Sequence, residues 1–261
     1  MNIDRMKKNK QHLHNEIVEK KLGIPPDYQY RALYKSNFIQ SNWHANKFIS
    51  LEHCLKIKNK NIRVLDLGAG SGNFEIIFSR RVKHITALDY HKEALDFLKF
   101  VLRKNKINNV KLVYGDIRSL KNIKPMGTYD VILLVDVIEH IELDEADKMI
   151  KYLKKILAPG GRVCIITPNY KSLWIHMETI LDKFTIVPHF GGHQHLAKYY
   201  PDNLKSVFEK NGYTTSSIKS FNLFSFASPI RFLSILLCKL ELNSNLRFGN
   251  LLLGVFKNEK N

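Results

Sequence analysis

A chain of 261 residues, 44% hydrophobic and 25% charged, can fill one sizeable core or a main domain with a small cap, which excludes wholesale disorder. Its 41 Lys and Arg against 24 Asp and Glu leave a net charge of +17, which draws anions such as nucleic acid, acidic head groups or an acidic substrate without choosing among them. Cys54, Cys164 and Cys238 lie far apart with no C-x-x-C spacing, so neither a disulfide framework nor a thiolate metal site is expected, and a reducing cytoplasm fits.

The basic N-terminal stretch holds no apolar run of signal-peptide length, and nowhere do apolar residues run on for a membrane span, so the chain reads as neither secreted nor membrane-spanning. Residues 1–50 are expected to form a helical extension or cap, and residues 51–261 the main domain. From residue 61, Val/Ile/Leu-rich runs alternate with helical-period segments, the pattern of parallel strands joined by crossover helices. The expected strands are 61–68, 84–90, 110–116, 129–136 and 161–168, each a continuous apolar run because both sheet faces are covered. Helices are expected over 92–104 and 144–157, with Asp144 and Asp147 as cap and first-turn acid of the second. Lys148, Lys151 and Lys155 recur along that helix and read as a solvated face.

Past Pro201 a helix is expected that Gly212 can stop, followed by two β-like runs, 214–221 and 251–257, that close the sheet as a hairpin-like pair. Between them, Ser228 and Pro229 suggest the start of a helix in which Arg231, Ser234, Cys238 and Glu241 form one line and Ile230, Leu233, Leu236, Leu237 and Leu240 an opposing apolar face. That face is expected to pack internally, with an apolar-tail pocket or a membrane interface as the alternatives. The fold class is thus α/β, a doubly wound, seven-stranded, mostly parallel sheet with an N-terminal helical cap.

The run Val64-Leu65-Asp66-Leu67-Gly68-Ala69-Gly70-Ser71-Gly72-Asn73 ends the first strand and opens a helix, so bare backbone amides can approach a ligand there. A dinucleotide fingerprint would need Gly or Ala where Asn73 stands, and no G-K-[ST] follows for a phosphate loop. Instead Asp66, Asp89, Asp116 and Asp136 each stand at the carboxyl end of an expected strand, the edge where open parallel sheets hold ligands. Asp89, 23 residues after Asp66, is placed to accept hydrogen bonds from ribose hydroxyls, and Asp116 from an adenine amine. Asp66 and Asp136 can attract an ammonium, whereas a pyrophosphate would be repelled by so many acids. The implied ligand has ribose, adenine and a cationic end.

These residues resemble the class I methyltransferases that use S-adenosylmethionine, on VLDLGAGSG at 64–72, LDY at 88–90, YGDI at 114–117, YDVILLVDVIEHI at 129–141 and LAPGGRVCIITPN at 157–169. The resemblance implies that Asp66, Gly68, Gly70 and Gly72 shape the methionine pocket. Asp89 and Tyr90 would hold the ribose, Asp116 and Ile117 would recognise adenine, and Asp136 and Val137 would floor the site. No N-P-P-[YF] follows the fourth strand, so a base-amine methyltransferase of nucleic acid is the less favoured reading. Asp136, Glu139 and His140 are similar to the E-x-x-E-H arrangement of the quinone-biosynthesis O-methyltransferases, which that family associates with a divalent cation. The same spacing also fits a D-x-x-E capping box.

Proton removal from an acceptor hydroxyl falls to Glu139, His140, His193 or His195. The family often places a histidine at the position of His193, the preferred one. His189, His193 and His195 lie in a glycine-containing loop that imposes no ligand geometry, so no metal ligand is assigned. Tyr28, Tyr30, Trp43, His44 and the segments 170–200 and 221–248 are expected to cover the substrate. The expected activity is methyl transfer to a small or lipid-like acceptor at oxygen, with RNA or protein methylation and a non-enzymatic scaffold as alternatives. The expected location is cytoplasmic, with peripheral membrane association open.

Overall fold

The computed structural model describes residues 25–55, 60–122, 127–172 and 195–258. Seven strands form one sheet in the order β3-β2-β1-β4-β5-β7-β6. They are β1 (Arg63–Leu67), β2 (His84–Asp89), β3 (Val110–Tyr114), β4 (Tyr129–Val135), β5 (Leu157–Pro168), β6 (Thr214–Phe221) and β7 (Leu251–Lys257). β1 to β5 pair in parallel, and β7 lies antiparallel between β5 and β6. The last two strands do pair with each other as the apolar runs suggest, but it is β7, not β6, that joins the parallel body.

Helices cover both faces. They are α1 (Tyr28–Tyr34), α2 (Phe38–Leu55), α3 (Asn73–Phe78), α4 (Lys92–Lys104), α5 (Leu143–Ile156), α6 (Pro201–Glu209) and α7 (Arg231–Asn243). Strand alternation sorts the core into two layers. Leu65, Leu67, Ile132, Leu134, Val163 and Ile165 pack with Met149, Ile150 and Leu153 of α5 and with Leu204 and Phe208 of α6. Val64, Val131, Leu133, Cys164 and Ile166 pack on the other face with Leu51 and Leu55 of α2, Phe74 and Phe78 of α3, and Cys238 and Leu242 of α7. Burial on both sides is why these strands read as unbroken apolar runs.

Local chemistry moves some boundaries. α7 begins at Arg231 rather than at Pro229, because Ser228 turns the chain first and its Oγ accepts from the Ile230 amide at 3.3 Å. α5 begins at Leu143, with Asp144 and Glu145 in its first turn and no side-chain cap. Asp147 is not a first-turn acid. It accepts from Asn211 at 2.8 Å and pairs with Lys151 and Lys210, each at 2.9 Å, tying α5 to the end of α6 and holding its carboxyl well below the usual carboxylate range. Lys148 and Lys151 face solvent and pair within their own helix, as a solvated face requires.

The parallel strands all end at one edge, and β1, β2 and β4 deliver Asp66, Asp89 and Asp136 there. β5 and β6 both run opposite to β7, so their carboxyl ends open on that same edge. The site is the rim of the sheet, roofed from one side by α1 and α2.

Candidate active site

The glycine loop leaves β1 as a tight backbone turn. Gly68, Gly70 and Gly72 all adopt positive φ, at 80°, 51° and 80°, and a Cβ at Gly70 would overlap the Gln29 side chain. The loop is therefore closed over by the first turn of α1. Gln29 Oε1 accepts from the Ser71 amide at 3.0 Å, the Tyr30 amide donates to Ser71 Oγ at 2.9 Å, and Asn73 Nδ2 donates to the Gln29 carbonyl at 2.9 Å. Sequence reasoning placed Tyr28 and Tyr30 in a substrate cover and passed over Gln29, which carries no pattern of its own.

Below the loop, Asp66 is buried beside Glu75 of α3. Burial pushes the Asp66 carboxyl up to about 7 and raises Glu75 well above its ordinary value. The two buried carboxyls interact directly with each other, while Asn73 Oδ1 is buried without a hydrogen-bond partner among the described residues. A buried acceptor left unmet is costly, and two buried carboxyls side by side favour a proton or a cation between them. Asp89 is also buried. Its Oδ2 accepts from the Gly70 amide and its Oδ1 from the His91 amide, both at 2.7 Å, so it braces the loop and the start of α4 while keeping lone pairs for a ligand. Tyr90 follows it, half-buried.

Asp116 has a partner that the sequence reading missed. Arg118, two residues on, grips it with Nε at 2.9 Å from each oxygen and Nη2 at 2.6 Å, while the Arg118 amide donates to Oδ1 at 2.9 Å. Only part of the Asp116 carboxylate remains available to an adenine amine. Ile117 opens the short 3₁₀ turn that carries Arg118, and it packs half-buried against the core.

The acceptor side centres on Asp136, a non-glycine residue at φ 54°, a backbone state that persists only where its surroundings impose it. Its amide donates to the Ile166 carbonyl at 2.9 Å, and its carboxylate is held by the Lys47 ammonium from α2. Burial would raise the Asp136 carboxyl, but Lys47 outweighs it and holds the group below its ordinary value. Lys47 is almost wholly buried, and α2 turns an unusual polar stripe inward, Asn42, Asn46 and Ser50, at intervals of four residues. That stripe is the signal in the sequence that could have drawn attention to this helix.

Val137 is buried and its side chain abuts Gly68, whose missing Cβ makes room for it. Residues Ile138–His140 form a 3₁₀ turn without side-chain capping, which removes the capping-box alternative. Glu139 points inward instead. Its Oε2 accepts from Thr167 Oγ1 at 2.9 Å, and burial, reinforced by the Asp136 charge, raises its carboxyl to about 8. His140 stands 5.0 Å from His195, centroid to centroid, and the Tyr170 hydroxyl is hydrogen-bonded to His195 Nδ1. Burial pushes His195 down to about 4, so it is neutral near pH 7. Ligand atoms of Glu139, His140 and His195 lie within 4.8 Å of one another, a grouping that can hold a metal ion. His189 and His193, with most of the segment 170–200, lie outside the described residues. His44 of α2 faces this region as well, where burial lowers it to about 3.

The comparisons agree with this architecture. Residues 45–218, well over half of the chain, match the family model described as a methyltransferase domain. A ubiquinone biosynthesis O-methyltransferase of Pelagibacter ubique is 28% identical over 204 residues, covering 76% of this chain and 81% of that protein. A ubiquinone/menaquinone biosynthesis C-methyltransferase of Idiomarina loihiensis is 29% identical over 173 residues, covering 59% and 67%. Among solved structures, the magnesium protoporphyrin IX methyltransferase of Synechocystis aligns with a TM-score of 0.59 at 15% identity, over 88% of this chain and 93% of that one, which speaks to fold alone. A glycine loop over a buried carboxyl pair, strand-end acids on one rim and a family match across that rim together place this chain in the methyltransferase-domain family, as an S-adenosylmethionine-dependent methyltransferase of the class I fold.

Proposed function

We propose that the enzyme methylates a hydroxyl oxygen of a small, lipid-like acceptor seated above Asp136. The observation that carries this reading is the cluster of Glu139, His140, His195 and Tyr170 beside the Lys47–Asp136 pair, a set of groups suited to managing a hydroxyl proton. The relative named for O-methylation in quinone biosynthesis supports it, and the one named for C-methylation leaves the acceptor atom to experiment.

S-adenosylmethionine supplies an electrophilic methyl on a sulfonium, and the transfer is an in-line displacement that needs alignment more than covalent help. We assign Asp89 and Tyr90 to the ribose, Asp116 and Ile117 to the adenine, and Asp66 with Glu75 to the ammonium end, where two adjacent buried carboxyls favour a cation. The glycine loop at Gly68, Gly70 and Gly72 brings backbone close to the methionine portion, and Gln29 closes it from above. Val137 and Asp136 floor the site, with Lys47 fixing the Asp136 carboxylate in place. Neutral His195, held by Tyr170, is a proton acceptor for the hydroxyl, alongside the candidates His140, Glu139 and His193. A divalent cation on Glu139, His140 and His195 would lower the pKa of a bound hydroxyl.

Incubation with methyl-labelled S-adenosylmethionine and a short-tailed dihydroxybenzene, beside RNA and protein fractions, tests the reading. Label is expected in the organic extract as an alkali-stable ether. Label in carbon-bound methyl, in RNA or in protein would refute it.

A further inference from the structure

α7 is mounted with its polar line inward. Ser234, Cys238 and Glu241 are buried against α2 and the turn after β6. Glu241 accepts there from the amides of Asn222 (2.7 Å), Phe224 (2.9 Å) and Ser225 (3.0 Å) and from the Ser225 hydroxyl (2.8 Å). This carboxylate fixes the orientation of the helix, because four donors would be stranded if it turned over. The apolar line is consequently outside. Phe232 is 75% exposed, and Leu233, Leu236 and Leu240 are exposed beside it. Phe224, Ile230 and Phe248 extend the patch, so that seven of the thirteen exposed large hydrophobic side chains among the described residues fall within residues 224–248.

Scattered surface apolar residues are ordinary, but a continuous helical face of them marks a contact surface. Its electrostatics narrow the partner. Across residues 222–250, which hold α7 and its flanks, the bases are Arg231, Lys239 and Arg247, and the one acid is the buried, fully engaged Glu241. Lys239 and Arg247 are exposed next to the apolar face. A second copy of a chain carrying +17 would bring like charge to like. No helix among the described residues is long and apolar enough to cross a membrane.

We infer that α7, with Phe224, Ile230 and Phe248 at its ends, seats the enzyme on the interface of an anionic lipid bilayer. Apolar side chains would enter the head-group boundary while Lys239 and Arg247 meet acidic head groups. The helix follows the carboxyl end of β6 and packs on the sheet face beside α2, so its start lies near the rim that carries Asp66, Asp89 and Asp136. This docking does not depend on which atom the enzyme methylates.

The test is co-sedimentation of the full chain with vesicles of phosphatidylcholine alone or mixed with phosphatidylglycerol, beside the double variant Phe232→Ser, Leu236→Ser. Both positions are exposed, so the variant should keep its melting temperature and its affinity for S-adenosylmethionine. The wild type is expected to pellet with the anionic vesicles, less so as salt rises, and the variant to partition at least about tenfold less. The inference is overturned if the wild type stays in the supernatant, if it binds neutral vesicles equally well, or if the variant pellets like the wild type. It is also overturned if light scattering shows a wild-type dimer that the substitutions abolish.

Discussion

Replacing Lys47 by Met keeps the length of the side chain and removes the ammonium that holds Asp136. At an effective dielectric of about 20, two charges about 4 Å apart attract by roughly 4 kcal/mol before desolvation is counted. The Lys47 side chain is 4% exposed but that of Asp136 is 29% exposed, so water compensates part of the loss and we expect about 1–3 kcal/mol of destabilisation. For a chain of this size that lowers the melting temperature by roughly 2–10 °C. The pH dependence has a definite sign. The Asp136 pKa is depressed in the folded wild type, so its contribution is present above the unfolded carboxylate value and is lost as pH falls through the folded one. In Lys47→Met the largest opposition to burial is gone and that carboxyl rises, with only His44 and His140 still lowering it, so the deficit of the variant narrows as acid protonates it. Thermal melts from about pH 8 down to about pH 4.5, with Asp136→Asn and the double variant completing a cycle, measure the coupling. Equal penalties in the presence and absence of the Asp136 carboxylate would refute the reasoning.

Three further outcomes follow from the site. Gly70→Ala places a methyl onto Gln29 at a positive φ and should weaken S-adenosylmethionine binding by about five- to thirtyfold by calorimetry, through about 1–2 kcal/mol of backbone strain; unchanged affinity would show that the loop is not the binding element. Asp89→Ala removes the acceptor for the Gly70 and His91 amides along with the proposed ribose contact, and should cost about 1–3 kcal/mol of cofactor affinity. Glu139 is raised to about 8, so between the unfolded carboxylate value and pH 8 the folded chain holds a proton that the unfolded chain has released, and stability falls as pH rises across that window. Glu139→Gln should flatten that slope in urea titrations from about pH 5 to pH 8, and an unaltered slope would place the proton elsewhere.

The parts of the fold legible in the sequence are those written in local pattern. β6 and β7 fall at 214–221 and 251–257 as read, and α4 at 92–104, because unbroken apolar runs and a clean helical period are bounded by turn residues. That β7 inserts between β5 and β6 is written in no local pattern. The same divide runs through the site. The glycine loop and strand-end acids announce themselves, but Lys47 reaches Asp136 across 89 residues and Gln29 meets Ser71 across 42. On α7 the period identifies the two faces correctly, yet the sequence reading turned the apolar one inward. The deciding group is Glu241, whose backbone donors at Asn222, Phe224 and Ser225 become visible only once the turn after β6 is folded.

The central position of β7 bears on how the chain completes itself during synthesis. β6 meets the sheet only through β7, so residues 214–221 have no strand to pair with until residues 251–257 have left the ribosome. A nascent chain halted between them would carry β5 as a bare edge, its Val163, Ile165 and Ile166 without the neighbours that β7 brings. Losing residues 251–257 therefore strips two strands rather than one, and leaves behind an adhesive intermediate in place of a trimmed enzyme.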